Sequence, residues 1–420
     1  MSLFIKNIKK LVNARTQSVS SPLKGKEMDS LPCIEDAWLL TEKDRIARMG
    51  RMCDLAPESM EAIEDVADEV IDASGRMVFP SYCDSHTHLV YAGSREMEFM
   101  DKLRGLSYQE IARRGGGILN SVELLHNTSE EDLLRQTLVR AWEIVSLGTG
   151  AVEIKSGYGL TVEDEVKMLR VARRVEEETP LRVRTTFLGA HAVPARYKGN
   201  REGYVDEIIR DIMPAVAAEG LADYVDIFVE EGFFTVEDAS RIFESAAKYG
   251  MTPKVHANQM SFSGGVQVGV KYGAASVDHL EFTGPEEFKV LQGSSTIATL
   301  LPGATFFLDM DYPKAKEMQE YSLPLAIASN YNPGSCPSGD MKFMMALAMI
   351  KMRLTPETVL NAATVNGAFA MGVSEDYGSI TVGKKASFFI TRKIPSYEFI
   401  PYSFTSQLIE DIILNGKIYR

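Results

Sequence analysis

Cysteine is scarce in this chain. Four residues, Cys33, Cys53, Cys83 and Cys336, are spread through 420 positions, and none pairs as C-x-x-C. That scarcity excludes a disulfide framework and a thiolate zinc cluster; it fits a reducing compartment, so the expected location is the cytoplasm. Positive charge is also in deficit. Lysine and arginine number 45 against 58 acidic residues, a net charge of −13. An acidic surface argues against nucleic acid or an anionic membrane as the main partner. No run of about 18 apolar residues occurs, so no membrane span is expected. The opening MSLFIKNIKK scatters lysines among its apolar residues and has no signal-peptide core. A dinucleotide fingerprint is missing too: RRGGGILNS lacks the G-x-G-x-x-G spacing and does not open a helix directly after a strand.

What is there points to a large α/β protein. At 45% hydrophobic and 25% charged, the chain can bury either two or three domains or one large barrel with an attachment. The two ends look alike. LFIKNIKKLV and DAWLLTEKDRIARMG near the start, and GSITVGKKASFFITRK and IEDIILNGKIYR near the finish, are short half-alternating segments joined by turns. They predict a small composite β-sandwich domain built from residues 1–79 and 366–420. Between them, eight short apolar runs alternate with amphipathic stretches such as SEEDLLRQTLVRAWEIVSLG and TVEDEVKMLRVARRVEEE. The runs are Met77–Cys83, Ala151–Ile154, Arg184–Leu188, Val225–Phe228, Lys254–Ala257, Ser276–His279, Thr296–Leu300 and Leu325–Ser329. Eight such units predict a closed (β/α)8 TIM barrel over residues 80–365 rather than an open sheet.

Histidine is rare and oddly placed. Of six, five fall at or just past the C-terminal ends of predicted strands: His86, His88, His191, His256 and His279; only His126 lies elsewhere, in a polar segment before a helix. The C-terminal rim of a barrel is where catalytic groups collect. A lone rim histidine is ordinarily a hydrogen-bonding residue, but five of six is not explained that way. His86 and His88 stand two apart in CDSHTHLVYAGSRE, so on a strand both rings face the same side. With His256 and a carboxylate from the eighth strand they would bind one divalent cation and leave a position open for water, a donor set that suits Zn or Fe. Such a cation makes hydroxide available near neutral pH.

PSYCDSHTHLVYAGSRE resembles the metal-binding opening of the amidohydrolase superfamily. RGGGI, EIKSGYGL, FLGAHAVP, VHANQM, SVDHLE and NPGSCPS narrow the resemblance to the branch that opens an imidazolone ring in histidine degradation, and TPETVLNAATVNGAFAMG extends it almost to the end. The resemblance implies metal-dependent hydrolysis of the cyclic amide C–N bond of 4-imidazolone-5-propanoate to N-formimidoyl-L-glutamate, by a homodimer holding one divalent metal. It implies metal ligands at His86, His88, His256 and the eighth-strand position, here Asn330. It implies substrate contacts at Arg95, Tyr108, Tyr158, His191, Gln259, Asn332, Gly334 and Ser335, with His279 close to the attacking water and His191 and Gln259 sharing in catalysis.

The residue types suit that chemistry. Arg95 can fork a carboxylate tail in a way lysine cannot. Tyr108 and Tyr158 can donate hydroxyls and pack a flat ring. His191 is expected to donate to the carbonyl oxygen as it gains charge, Gln259 to bond a ring nitrogen, and the Asn332–Ser335 loop to offer small polar groups. Asn330 departs from the pattern. The pattern calls there for aspartate, whose carboxylate also takes a proton from water, and an asparagine oxygen cannot take it. Asp340, ten residues on in sequence, is a carboxylate that could substitute. An alternative is a hydantoinase or dihydroorotase type of enzyme, with two metals bridged by a carboxylated lysine; Lys155 would be the candidate, although it follows the second strand rather than the fourth.

Overall fold

The computed structural model describes residues 1–106 and 117–419. The chain enters through β1 (Ser2–Val12), β2 (Cys33–Glu42), β3 (Arg45–Arg51), β4 (Glu69–Asp72) and β5 (Arg76–Pro80). Eight strands follow: β6 (Tyr82–Thr87), β7 (Thr149–Lys155), β8 (Arg182–Ala190), β9 (Tyr224–Val229), β10 (Thr252–Ala257), β11 (Ser276–His279), β12 (Ile297–Leu300) and β13 (Leu325–Ile327). The chain returns through β14 (Phe388–Lys393), β15 (Ile409–Leu414) and β16 (Lys417–Tyr419).

Strands β6 to β13 pair in sequence order and run parallel. The ring closes between its first and last members. Asn330 N donates to His86 O and His88 N donates to Tyr331 O, each at 3.0 Å. Asp84 reinforces the seam by accepting from Ser329 N at 2.9 Å and from Ser329 Oγ at 2.5 Å. The result is the expected (β/α)8 barrel. Its helices start where the sequence provides caps: Ser129, Thr161 and Thr235 each accept a backbone N–H three residues on, before helices Glu130–Ser146, Val162–Glu178 and Val236–Ala246.

The chain ends share a mixed sheet in the order β16-β15-β14-β5-β1-β2-β3, with β4 pairing Leu3–Lys6 of β1 ahead of the stretch, Lys10–Leu11, that β5 takes. Alternation along β1 turns Leu3 and Ile5 inward and, past a bulge, Ile8 and Leu11; they meet Leu39, Val78, Phe388, Ile390 and Ile413 in a core separate from the barrel's. One expected strand divides. Met77–Cys83 reads as one run, yet Arg76–Pro80 pairs with β1 and β14, and the barrel begins only at Tyr82. Ser81 N still donates to Ser387 O of the terminal sheet, whereas Tyr82 N donates to Gly148 O at the foot of β7. The chain stays extended through Pro80 and Ser81 while it changes partners, so no turn separates the two strands.

Candidate metal centre

The strand ends deliver five histidines to one place. His86 lies within β6 and His88 just beyond it; His191 follows β8, His256 lies in β10, and His279 ends β11. All five are buried. Two triplets bring one ligand atom per residue to within 4.8 Å of one another: His86, His256 and His279, and His88, His191 and His256. His256 belongs to both. The ring centroids of His86 and His88 are 5.3 Å apart, and His86 and His256 4.6 Å. His126 stands apart at the end of helix Ile118–His126, its Nδ1 2.7 Å from Asp164 Oδ2 on the surface.

The donors are in the state a cation requires. Burial holds His86 and His88 well below the ordinary imidazole range, lowers His256, and pulls His191 down to about 3. All four are therefore neutral near pH 7, as metal ligation demands. His256 Nε2 and His88 Nε2 face each other at 3.3 Å. Two nitrogens bound tetrahedrally to one zinc at 2.0–2.1 Å would stand about 3.3 Å apart. Buried His86 Nε2 and His88 Nδ1 have no hydrogen-bond partner. The cluster thus fits a divalent cation held by imidazole nitrogens.

A buried ion network lies behind the histidines. His86 Nδ1 is 2.6 Å from Asp278 Oδ2, and His256 Nδ1 is 2.9 Å from Asp226 Oδ2. Lys155 Nζ sits 2.6 Å from Glu153, 2.9 Å from Asp226 and 3.6 Å from Asp278. Lys254 pairs with the other oxygen of Glu153. Burial works against the charge on Lys155, but Asp226, Glu153 and Asp278 outweigh it and raise its pKa. The bridge of the two-metal alternative calls for a lysine on the fourth barrel strand, and β9 (YVDIFV) carries none; Lys155 ends the second, β7, with its Nζ against Glu153 and Asp226. The sequence reading overlooked Glu153, Asp226, Lys254 and Asp278. Their signal was present: single charges inside apolar strands, as in AVEIKS, YVDIFV, PKVHA and SVDHL.

A cavity of about 560 Å³ opens over the cluster. Arg95, Tyr158, His191, Gln259, Asn330, Asn332, Gly334 and Ser335 line it together with His88, His256 and His279. Tyr108 lies outside the described residues. Arg95 is aimed by Glu98, whose Oε2 accepts from Nε at 2.9 Å and Nη2 at 2.6 Å; Asn120 steadies the other Glu98 oxygen at 3.1 Å. A Cβ at Gly334 would overlap the guanidinium, so glycine is what lets the loop approach. That loop is braced by Asn332, whose Oδ1 accepts from Gly334 N and Ser335 N, both at 2.8 Å. His191 Nδ1 is 3.0 Å from Gly157 O. A carbonyl only accepts, so Nδ1 carries the proton, and neutral His191 offers Nε2 as a lone pair. Donation to a carbonyl oxygen, the role expected from sequence, is not what this tautomer provides.

Asn330 stands in the left-handed region (φ 57°) with Nδ2 3.4 Å from Ser335 Oγ. Among the described residues, Asp309, exposed at the rim, is the one carboxylate residue lining the cavity. Asp340 does not substitute for the missing aspartate. It caps helix Met341–Met352 by accepting from Lys342 N at 2.9 Å and is absent from the cavity wall.

A model of the amidohydrolase family matches residues 77–418. An imidazolonepropionase of Flavobacterium johnsoniae is 52% identical over 419 residues, covering both chains in full. One from Alkaliphilus metalliredigens is 37% identical across all of this chain and 98% of its own. Solved structures share the fold at low identity. A triazine hydrolase variant superposes with TM-score 0.75 at 14% identity, over 99% of this chain and 94% of that one. Guanine deaminase of E. coli superposes with TM-score 0.73 at 12% identity, over 100% and 99%.

Proposed function

We propose, from the premise that this chain belongs to the amidohydrolase family and within it to the imidazolonepropionases, a reaction in which water opens a cyclic amide. The substrate is 4-imidazolone-5-propanoate and the product N-formimidoyl-L-glutamate. The chain is thus a hydrolase of carbon–nitrogen bonds in a small molecule, dependent on a divalent metal. The observation that carries the reading is the meeting of five histidines from four strand ends under a cavity whose wall presents Arg95.

In this reading His86, His88, His256 and Asn330 hold one zinc or iron ion. When bound, the ion supplies a Lewis acid that acidifies water and polarises the ring carbonyl. The rest falls to the chain. The edge of Arg95 turned away from Glu98 forks the propanoate, and Tyr158 packs beside the ring. His191 accepts a ring N–H at Nε2, and Gln259 and the Asn332–Ser335 loop bond the polar remainder. His279 stands closest to the attacking water. Asn330 cannot take a proton from it, so turnover is slower than with aspartate at this position.

The remaining readings follow from composition and resemblance: a cytoplasmic homodimer, with residues 1–79 and 366–420 as one unit and 80–365 as the other. No described helix is long and apolar enough to cross a membrane. The deciding experiment is a turnover assay with 4-imidazolone-5-propanoate alongside metal analysis. One equivalent of zinc or iron with hydrolysis supports the reading; metal-loaded protein that leaves the ring intact, as wild type and as Asn330→Asp, refutes it.

A further inference from the structure

We propose that the buried charges Glu153, Lys155, Asp226, Lys254 and Asp278 form a positioning platform for the metal-binding histidines, with Lys155 as its crossbar. The inference rests on the metal centre read above. One carboxylate oxygen does double duty on each side. Asp278 Oδ2 lies 2.6 Å from His86 Nδ1 and 3.6 Å from Lys155 Nζ; Asp226 Oδ2 lies 2.9 Å from His256 Nδ1 and 2.9 Å from the same Nζ. A single ammonium therefore ties together the partners of two histidines that come from opposite sides of the barrel, β6 and β10. Glu153 anchors the crossbar from beside it on β7, accepting from Lys155 at 2.6 Å and from Thr186 Oγ1 at 2.6 Å, while Lys254 holds its second oxygen.

The arrangement fixes what each ring can offer. A carboxylate beside an ammonium accepts hydrogen bonds and donates none. His86 accordingly carries its proton on Nδ1 and turns its Nε2 lone pair toward the neighbouring imidazoles, which is how outer carboxylates orient metal-bound imidazole; Asp226 Oδ2 buttresses the His256 ring at 2.9 Å. Stability alone does not explain the network, because well-packed apolar side chains of similar volume hold a core as well or better than buried ion pairs.

The test is made on purified protein, metal-free and zinc-loaded. Zinc affinity is measured by chelator competition, and histidine tautomers by ¹⁵N NMR of the metal-free form. Wild type is expected to show the Nδ1–H tautomer at His86. Asp278→Asn and Lys155→Met are each expected to weaken zinc binding about 10- to 100-fold and to release the His86 tautomer. Should Lys155→Met fail to fold, Asp278→Asn and Asp226→Asn decide the matter. Zinc affinity within about threefold of wild type in both folded aspartate variants, well short of the usual outer-partner effect, or an Nε2–H tautomer at His86 in wild type, overturns the proposal. Failure of the functional reading would look different: normal zinc binding and tautomers with no ring opening.

Discussion

Asn330 is the residue on which the proposed activity turns. It lines the cavity next to the histidines yet carries no group able to accept a proton at neutral pH. General-base assistance is worth about 10²–10⁴ in rate, so Asn330→Asp is predicted to raise kcat about 100-fold and to tighten metal binding. Equal kcat and metal content in the two proteins would show that another group already does the work. Arg95 gives a second residue-scale prediction. Its fork is held by Glu98 on one edge, and Arg95→Lys keeps the charge while losing the two-pronged geometry. KM for the propanoate-bearing ring should rise about tenfold with little change in kcat. Steady-state kinetics checks it, and a fall in kcat with KM unchanged would contradict it.

Single residues were also the most legible part of the sequence. The five rim histidines could be picked out because a strand end is recognisable and histidine is rare. The platform beneath them could not be assembled, because Glu153, Asp226, Lys254 and Asp278 lie on four strands, and only barrel closure makes them neighbours. The His191 tautomer was hidden for the same reason: it depends on the carbonyl of Gly157, 34 positions away.

Among the elements, four of the helices and seven of the eight barrel strands were legible from periodicity and caps. Helix Val236–Ala246 shows why: Thr235 Oγ1 accepts from Asp238 N at 3.2 Å, and Asp238 accepts from Thr235 N at 2.9 Å, a reciprocal pair written locally as T-V-E-D. Thr235→Ala is predicted to destabilise the protein by about 1 kcal/mol, read as a shift of the denaturation midpoint; no shift would mean the cap contributes nothing. The strand Met77–Cys83 was not legible as two, because a change of partner in an extended chain leaves no mark in composition. The seam between β6 and β13 was equally silent, since Asp84 and Ser329 are 245 positions apart.

At the scale of the whole molecule, the buried histidines make stability depend on pH. Burial pulls His191 down to about 3 and holds His86, His88 and His256 below the ordinary value. In the unfolded chain each titrates near 6.5. Between about 6.5 and 3 the unfolded state binds a proton at His191 that the folded state refuses, so this contribution to stability is complete above about pH 6.5 and is lost as pH falls toward 3, with a slope of about 1.4 kcal/mol per pH unit; the other three act in the same direction. Thermal melts of metal-free protein should show the decline, and His191→Gln should flatten it; an unchanged slope in the variant would contradict the assignment.

The most direct measurement for the whole account is anomalous diffraction from crystals of metal-loaded protein at the zinc or iron edge. The account predicts one strong peak per chain, within bonding distance of His86, His88 and His256 beneath the Arg95-lined cavity. Two peaks at the centre, or a peak remote from these three imidazoles, would contradict it.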